Sequence, residues 1–283
     1  MEVIRASDMG FCFGVRRAVE MTEQVAAELG EITSLGPVVH NEQVVEKLER
    51  LGVRVIHDPT EAGGRAVVIT SHGVAPEVLA AVKRLGLRVV DCTCPMVTRS
   101  QQWAKRLAKG GFTVIIFGDP EHKEVRGVLG WAEGHGIAFP DEASLESMPE
   151  PPASRLAVLS QTTQTEARFA SFVGRLLALQ LEGIRELRVI NTLCNATTSR
   201  QAATRELARK VDLMIVVGGR ESANTLHLTE VAREEGVETR QIESAAQVER
   251  AWLAGHERIG VTAGASTSDE AIEAVVARLR ELA

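Results

Sequence analysis

The chain has 283 residues, of which 45% are hydrophobic and 25% are charged, the composition of a soluble globular enzyme. A net charge of -6 gives no general attraction to nucleic acid or to an anionic membrane surface, and no apolar run approaches the ~18 residues of a membrane span. The N-terminus has an early acid and no long apolar run, so we expect no signal peptide and a cytoplasmic location.

Short apolar runs alternate with amphipathic stretches along the whole chain, which predicts parallel sheets covered by helices on both faces. In the first third, helices are predicted over residues 15–29, 41–51 and from Pro76, and strands over 32–35, 53–56, 67–70 and 87–90. Asn41 is the expected cap of the second helix. The run before Cys94 is predicted to be a buried strand that ends where a helix begins.

The rest of the chain repeats this order of elements. Five helices are predicted: one begins after Pro95, a second ends at about residue 134, a third begins at Glu166, a fourth begins at Ser222, and the last ends near Leu282. Strands are predicted over 112–117, 136–139, 156–159, 213–217, 238–242 and 258–261. A short acidic helix and a loop with Pro151 and Pro152 separate two of these strands. No strand follows the last helix, so we expect residues 3–6 to supply the strand that the last repeat lacks.

Three cysteines share a register with other residues, which indicates a diverged threefold repeat. They are Cys12, Cys94 and Cys194. Twenty-four residues after them stand Gly36, Gly118 and Gly218, twenty-eight residues after them stand His40, His122 and Ser222, and thirty residues after them stand Glu42, Glu124 and Asn224. Three further apolar runs end in polar turns that contain Ser71-His72, Gln161-Thr162 and Ser266.

The repeat predicts an α/β fold of three small domains related by a pseudo-threefold arrangement, each a parallel sheet flanked by helices. The expected boundaries are 12–93, 94–193 and 194–283, and segment 1–11 closes the ring. Ligands of such sheets bind beyond the carboxyl ends of the strands, where the polar turns lie. We therefore expect three sheet edges to enclose one central pocket, toward which helix N-termini converge that attract anions.

The four cysteines are expected to be reduced thiols used as ligands or nucleophiles rather than disulfides. Three thiolates in a threefold repeat suit an iron–sulfur cluster held at three corners, such as a [4Fe–4S] cube with one iron open to a substrate oxygen. A catalytic zinc with three thiolates is the main metal alternative, and three unrelated buried cysteines the simplest one. Cys92 lies outside the register and is expected to be a small buried residue on its strand.

The polar residues of the register have two interpretations. Asn41, Ser222, Asn224 and Ser266 are all good helix caps, so capping explains each of them singly. His40, His72 and His122 are weaker caps, which favours binding of a compact polyanion such as a diphosphate. A carboxylate beside an anion is electrostatically costly, so Glu124 is expected to act as a proton donor whose pKa the anion raises.

Motifs along the whole chain resemble those of the 4-hydroxy-3-methylbut-2-enyl diphosphate reductase family, also called LytB or IspH. They are Gly10-Phe11-Cys12-Phe13-Gly14-Val15, Gly36-Pro37-Val38-Val39-His40-Asn41, Ser71-His72-Gly73, Thr93-Cys94-Pro95, His122-Lys123-Glu124-Val125, Ser160-Gln161-Thr162-Thr163, Cys194-Asn195-Ala196-Thr197-Thr198-Ser199-Arg200-Gln201 and Thr262-Ala263-Gly264-Ala265-Ser266. The resemblance implies an iron–sulfur oxidoreductase of the non-mevalonate isoprenoid pathway. Its reaction is the reductive removal of a hydroxyl, giving isopentenyl and dimethylallyl diphosphate.

The family's functional residues fall on the positions of the repeat. The resemblance implies that Cys12, Cys94 and Cys194 hold the cluster, whose open iron takes the substrate hydroxyl. It implies that Glu124 delivers protons and that Thr162 keeps the hydroxyl network in place. The diphosphate ligands would be His40, His72, His122, Ser222, Asn224 and Ser266, with the backbone N–H of Ala223. Ferredoxin or flavodoxin would supply electrons.

Three residues depart from the family's usual pattern. Lys123 stands where proline is common, Cys92 where alanine is common, and Ala223 where a serine often lies between two phosphate ligands. The last change removes one hydroxyl donor. A second hypothesis is a non-catalytic metal-sensing or anion-binding protein that uses the same three cysteines, in which Glu124 has no purpose.

Overall fold

The computed structural model describes residues 1–148 and 154–282, so the expected loop with Pro151 and Pro152 lies outside the described residues. Within those two ranges no helix is both long and apolar enough to cross a membrane. The strands are β1 (Glu2–Arg5), β2 (Ile32–Leu35), β3 (Val53–Ile56), β4 (Ala66–Ile69), β5 (Arg88–Asp91), β6 (Thr113–Phe117), β7 (Gly136–Phe139), β8 (Arg155–Ser160), β9 (Glu186–Val189), β10 (Leu213–Val217), β11 (Glu238–Ile242) and β12 (Arg258–Ala263).

The α-helices fall between these strands, as the alternating sequence pattern predicts. They are α1 (Phe13–Leu29), α2 (Glu42–Arg50), α3 (Pro76–Arg84), α4 (Pro95–Lys109), α5 (Lys123–Trp131), α6 (Glu166–Gln180), α7 (Asn195–Ala208), α8 (Ala223–Glu234) and α9 (Asp269–Leu282). The predicted short acidic helix is a 3-10 turn at Ala143–Ser147. Asn41 caps α2 as expected, because its Oδ1 accepts a hydrogen bond from Val44 N at 3.1 Å.

In the part of the chain that the structure describes, the strands form three parallel sheets of four strands each, with the orders β3-β2-β4-β5, β7-β6-β8-β9 and β11-β10-β12-β1. The first two sheets have the same order when their strands are numbered within each repeat. The third has it too when β1 is counted as its last strand, since β1 pairs in parallel with β12. The predicted α/β class with three parallel sheets is confirmed.

The three sheets are distributed over two compact units. The first unit consists of Met1–Arg16, Val39–Lys47 and Asn195–Ala283 and contains the sheet with β1. The second unit consists of Arg17–Val38 and Leu48–Cys194 and contains the other two sheets. The domain boundaries 12–93, 94–193 and 194–283 stay a prediction.

The sheets of both units are buried on two faces because successive side chains of a strand point to opposite sides. In β10, Leu213 and Ile215 pack with α9, whereas Met214 packs with residues of α7 and α8. In β6, Val114 packs with α4 and α5, whereas Ile115 packs with α6. Burial of apolar surface contributes a free energy of about 25 cal/mol per Å². This burial stabilises the strands whose carboxyl ends lead into the polar turns.

The segment before Cys94 differs from the sequence-based expectation. The sequence predicts a buried strand, but β5 lies at the edge of its sheet, where its one partner among the described residues is β4. Arg88 and Asp91 are exposed whereas Val90 is buried, so the predicted strand is confirmed but its burial is only partial. The strand ends at Asp91, so Cys92 is fully buried as expected but lies beyond the strand rather than on it.

Candidate active site

The backbones of the three repeat cysteines are held in the same way. Each cysteine directly precedes a helix, namely α1, α4 or α7. Each backbone N–H also donates a hydrogen bond to a carbonyl of the turn after the third strand of the same sheet. These bonds are Cys12 N to Ala265 O at 3.2 Å, Cys94 N to Ser71 O at 2.9 Å and Cys194 N to Thr162 O at 3.0 Å. The predicted register of the cysteines therefore corresponds to a repeated local geometry.

The side chains distinguish these three cysteines from the fourth. All four cysteines are described, and none is in a disulfide. Cys12, Cys94 and Cys194 are half-buried, whereas Cys92 is fully buried beside Thr22. Burial raises the pKa of the Cys92 thiol to about 11, which keeps the thiol protonated at neutral pH. Cys92 is therefore a poor metal ligand, whereas each of the other three thiols is accessible enough to act as one.

Gly36, Gly118 and Gly218 directly follow β2, β6 and β10, the first strand of each repeat. Their N–H groups donate to the last carbonyl of the neighbouring strand, at 2.7–2.8 Å, and the pairs are Gly36 with Ile56, Gly118 with Phe139 and Gly218 with Ile242. Gly218 has a φ of 150°, and a Cβ there would lie 2.5 Å from Thr225 Oγ1. A side chain at Gly218 would displace the first turn of α8, so this turn requires glycine.

Glu124 and Thr162 form a buried pair in the second unit. Glu124 is 3% exposed, and its Oε1 accepts from Thr162 N at 2.7 Å while its Oε2 accepts from Thr162 Oγ1 at 2.8 Å. Burial raises the pKa of the Glu124 carboxyl, and the two hydrogen bonds from Thr162 offset only part of that effect. Since Thr162 O accepts from Cys194 N, one residue connects the acid to a cysteine turn.

Two histidines of the same unit are near one another, and one of them contacts this acid. His122 is the N-cap of α5, and its Nδ1 accepts a hydrogen bond from Glu124 N at 3.2 Å. The neutral ring therefore carries its proton on Nε2, which is a donor. The ring of His72 meets that of His122 edge-on, with centroids 5.6 Å apart. The second unit thus brings together Glu124, Thr162, His72 and His122.

His40 and Ser266 meet in the first unit. Ser266 Oγ donates to the His40 carbonyl at 3.1 Å, so the turn after β12 supports the segment that carries His40. A Cβ on Gly219 would lie 2.7 Å from the same carbonyl, so the turn after β10 packs closely against it as well. The hydroxyl proton of Ser266 is therefore used within the protein.

The start of α8 carries the other predicted anion ligands of the first unit. Ser222 is its N-cap, and its Oγ accepts from Thr225 N at 3.4 Å, which leaves the hydroxyl proton as a donor. Asn224 is 4% exposed, and neither its Oδ1 nor its Nδ2 has a hydrogen-bond partner among the residues described. A buried amide without a partner is costly, so this side chain fits a ligand-binding role better than capping.

Lys123 lies next to another of the register glycines. A Cβ on Gly36 would be 2.6 Å from Lys123 Nζ, so the ammonium packs directly on that turn. Lys123 also lines a cavity of about 450 Å³ together with His57, Arg126 and Thr70. The residue that departs from the family pattern therefore adds a cation near the turns of the second unit.

One residue of the second unit, Gln161, has a role that the sequence did not indicate. Gln161, which is buried, accepts a hydrogen bond from Asp119 N on its Oε1 at 3.1 Å and would meet any side chain at Gly118. It thus shapes the turn that leads to His122. Glu42, the register equivalent of Glu124, is exposed at the start of α2, as a solvated first-turn acid should be. The meeting of all three sheet edges at one pocket stays a prediction.

Almost the entire chain matches one protein-family model. The model is described as LytB protein, and the match covers residues 3–280. The chain belongs to the LytB family. The resemblance that the sequence motifs indicated is thereby confirmed, and the LytB family is dependent on iron–sulfur chemistry.

Relatives in the LytB family match over their full length. A 4-hydroxy-3-methylbut-2-enyl diphosphate reductase of Dehalococcoides mccartyi strain CBDB1 is 46% identical, over 100% of this chain and 99% of the relative. One of Geobacter sulfurreducens is 43% identical, over 99% of this chain and 98% of the relative.

Two solved structures share the fold. One, described as the diphosphate reductase that is the terminal enzyme of the non-mevalonate pathway, is 39% identical with a TM-score of 0.72, covering 99% of this chain and 100% of that one. The other, the Plasmodium falciparum E-1-hydroxy-2-methyl-but-2-enyl-4-diphosphate reductase, is 27% identical with a TM-score of 0.91, covering 98% of this chain and 87% of that one.

Proposed function

We propose that this chain reduces (E)-4-hydroxy-3-methylbut-2-enyl diphosphate to isopentenyl and dimethylallyl diphosphate, in the non-mevalonate isoprenoid pathway. Full-length relatives with that activity in their names support the proposal. The structural observation that carries it is a buried carboxyl, Glu124, which is bound by Thr162 and lies two residues after His122, the N-cap of α5. The comparisons do not support a non-catalytic metal-sensing or anion-binding role.

We assign a [4Fe–4S] cluster with one open iron to Cys12, Cys94 and Cys194. The support is the chemistry of the donors, since three half-buried thiols occupy equivalent turns and the fourth is sealed and protonated. When bound, such a cluster supplies electrons and a Lewis-acidic iron for a substrate oxygen. The three cysteines would hold such a cluster, and each directly precedes a helix whose first N–H groups favour anionic ligands.

Glu124 is the proposed proton donor. Loss of the hydroxyl as water and reduction of the allyl group consume two electrons and two protons in total. The raised pKa of Glu124 keeps a proton on the carboxyl closer to neutral pH, where a general acid is most effective. Thr162 holds both carboxylate oxygens, so it fixes the direction in which that proton is delivered.

The proposed diphosphate ligands donate hydrogen bonds without any Lys or Arg among them. The Nε2–H of His122, the hydroxyl of Ser222 and the amide of Asn224 are the donors whose geometry supports this role most directly. The N–H of Ala223, at the first position of α8, has no partner within the helix and replaces the serine hydroxyl that many family members have. His40, His72 and Ser266 complete the proposed set, and in this proposal the Ser266 hydroxyl leaves the His40 carbonyl to donate to the diphosphate.

The electrons come, in this proposal, from ferredoxin or flavodoxin. Both are small carriers that deliver single electrons, and the reaction needs two. We also propose that the enzyme works in the cytoplasm, because its thiols must stay reduced to hold the cluster.

Purification without oxygen tests the proposal. The protein should contain about four irons per chain, absorb as an iron–sulfur protein, and change its spectrum when the allylic diphosphate is added. With dithionite and a mediator it should release both products. A protein that binds zinc instead, or an iron–sulfur protein whose spectrum ignores the substrate, would contradict it.

A further inference from the structure

Three arginines bind the backbone beside the three cysteine turns. Each arginine lies five or six residues after one of the three cysteines, in the helix that follows this cysteine. Its guanidinium donates a hydrogen bond to a backbone carbonyl that lies one to three residues before another of the three cysteines. The contacts are Arg17 Nη1 to Thr93 O at 3.4 Å, Arg99 Nη2 to Asn191 O at 3.2 Å and Arg200 Nε to Gly10 O at 3.1 Å.

Arg200 is the most buried of the three arginines. Its side chain is 5% exposed, its Nη1 also donates to Ala196 O at 2.8 Å, and its Nη2 lies 3.4 Å from a carboxylate oxygen of Asp8. Gly10 and Ala196 are two residues from Cys12 and Cys194, respectively. One buried guanidinium therefore binds the backbone beside two of the proposed cluster ligands.

Chemistry explains why arginine suits this position. Its planar guanidinium presents several N–H donors in a fixed geometry, so it can bind two carbonyls and a carboxylate at once. Lysine has a compact ammonium and cannot hold them in the same arrangement. Burial of a charge requires such partners, because an unpaired guanidinium in the protein interior is costly.

We propose that Arg17, Arg99 and Arg200 are positioning residues that hold each cysteine turn in place for cluster binding, with Arg200 contributing most. This inference rests on the proposed function, since it concerns the same three cysteines. The contacts themselves lie in the protein, so the geometry of each turn depends on them before any cluster is bound. We expect the contribution to holding the turns to decrease from Arg200 to Arg17 to Arg99, because Arg200 is buried, Arg17 is half-buried and Arg99 is exposed.

The first measurement uses the apoprotein and needs no cluster. Amide hydrogen exchange should be faster in the peptide containing Cys12 when Arg200→Gln is compared with the wild type, because the bond from Cys12 N to Ala265 O loses its support. Arg205→Gln is the matched control, since Arg205 lies on the same helix and pairs with Glu235 at 3.2 Å. Exchange in the Cys12 peptide that is equal in the two variants would overturn the proposal.

The second measurement uses the reconstituted holoprotein and follows iron release to a chelator without oxygen. Loss of groups that orient metal ligands typically costs about 10- to 100-fold in metal affinity, so Arg200→Gln should release iron at least ~10-fold faster than the wild type. Arg200→Lys should recover only part of this difference, and the EPR signal of the reduced cluster should change in Arg200→Gln. Arg205→Gln should match the wild type in both respects.

If Arg200→Gln does not fold, Arg17→Gln and Arg99→Gln decide the question. Faster exchange at the Cys94 turn in the first and at the Cys194 turn in the second would support the proposal, and wild-type exchange in both would overturn it. The two hypotheses fail differently. A wild-type protein that takes up no iron would contradict the proposed function, whereas the hydrogen-exchange comparison would still decide the role of the arginines.

Discussion

The carboxylate of Glu124 and the side chain and backbone of Thr162 are joined by two hydrogen bonds, of 2.7 and 2.8 Å, in a site where the acid is almost fully buried. Both donors would favour an ionised carboxylate, yet burial dominates and raises the pKa. The pair therefore holds the acid in one orientation while keeping its proton available.

Glu124→Gln should bind the allylic diphosphate nearly as well as the wild type but turn over about 10²–10⁴-fold more slowly, because the amide retains the shape and cannot donate an acidic proton. Steady-state kinetics with saturating reductant, together with a binding titration, measure both quantities. Glu42→Gln, at the equivalent register position, is the control and should resemble the wild type. Full activity in Glu124→Gln would show that another group supplies the proton.

The same substitution should change the pH dependence of stability. Between the ordinary carboxyl pKa of 4.5 and the raised pKa of the folded state, the folded protein binds more protons than the unfolded chain, so wild-type stability falls as pH rises through that window. Glutamine does not titrate. In urea unfolding of the apoprotein, the stability of Glu124→Gln relative to the wild type should therefore increase from about pH 4.5 upward. A decrease would mean that the pKa is lowered in the folded protein.

Cys92 should differ from the other cysteines in reactivity. Its thiol is sealed and its pKa is raised to about 11, so iodoacetamide at pH 8 should label the apoprotein at Cys12, Cys94 and Cys194 and leave Cys92 unmodified. Mass spectrometry of the digested protein reads each site. Cys92→Ala should keep iron content and turnover, while serine at any of the other three should abolish both. Loss of iron in Cys92→Ala would contradict the three-ligand assignment.

How far the sequence predicts this molecule depends on the distance over which residues interact. The turns with Cys12, Cys94 and Cys194 were predictable because a strand, a turn and a helix repeat locally at fixed offsets. The edge position of β5 was not, because it depends on how four strands pair. Nor were the contact of Arg200 with Gly10, 190 residues away, or the bond from Ser266 to the His40 carbonyl, since long-range side-chain contacts leave no periodic signal.

Asn224 should show opposite effects on stability and on binding. Its buried amide has no partner among the described residues, so Asn224→Leu removes a desolvation cost of about 1–3 kcal/mol and should stabilise the apoprotein. The same change should weaken binding of the substrate and of inorganic diphosphate at least ~10-fold, as loss of a hydrogen bond to a charged group does. Leu226→Ala, an exposed change on the same helix, is the control for binding. Unchanged diphosphate binding in Asn224→Leu would place the anion elsewhere.

Lys123→Pro, which introduces the residue common in the family, should fold and be more stable than Lys123→Ala. Lys123 is the first residue of α5, a position where proline is well tolerated because its N–H has no partner within the helix. The preceding residue, His122, has φ -66° and ψ 135°, the extended conformation that proline requires of its neighbour.

The stabilisation comes from the unfolded chain, which proline makes less flexible, and should amount to about 0.4–1 kcal/mol in urea unfolding. Comparison with Lys123→Ala cancels the lost packing of the ammonium on Gly36, because both variants lack it. If that ammonium contributes to anion binding, KM for the diphosphate should rise equally in both variants. A Lys123→Pro protein less stable than Lys123→Ala would mean that the backbone of this turn, and with it the bond from Glu124 N to His122 Nδ1, does not have the geometry described.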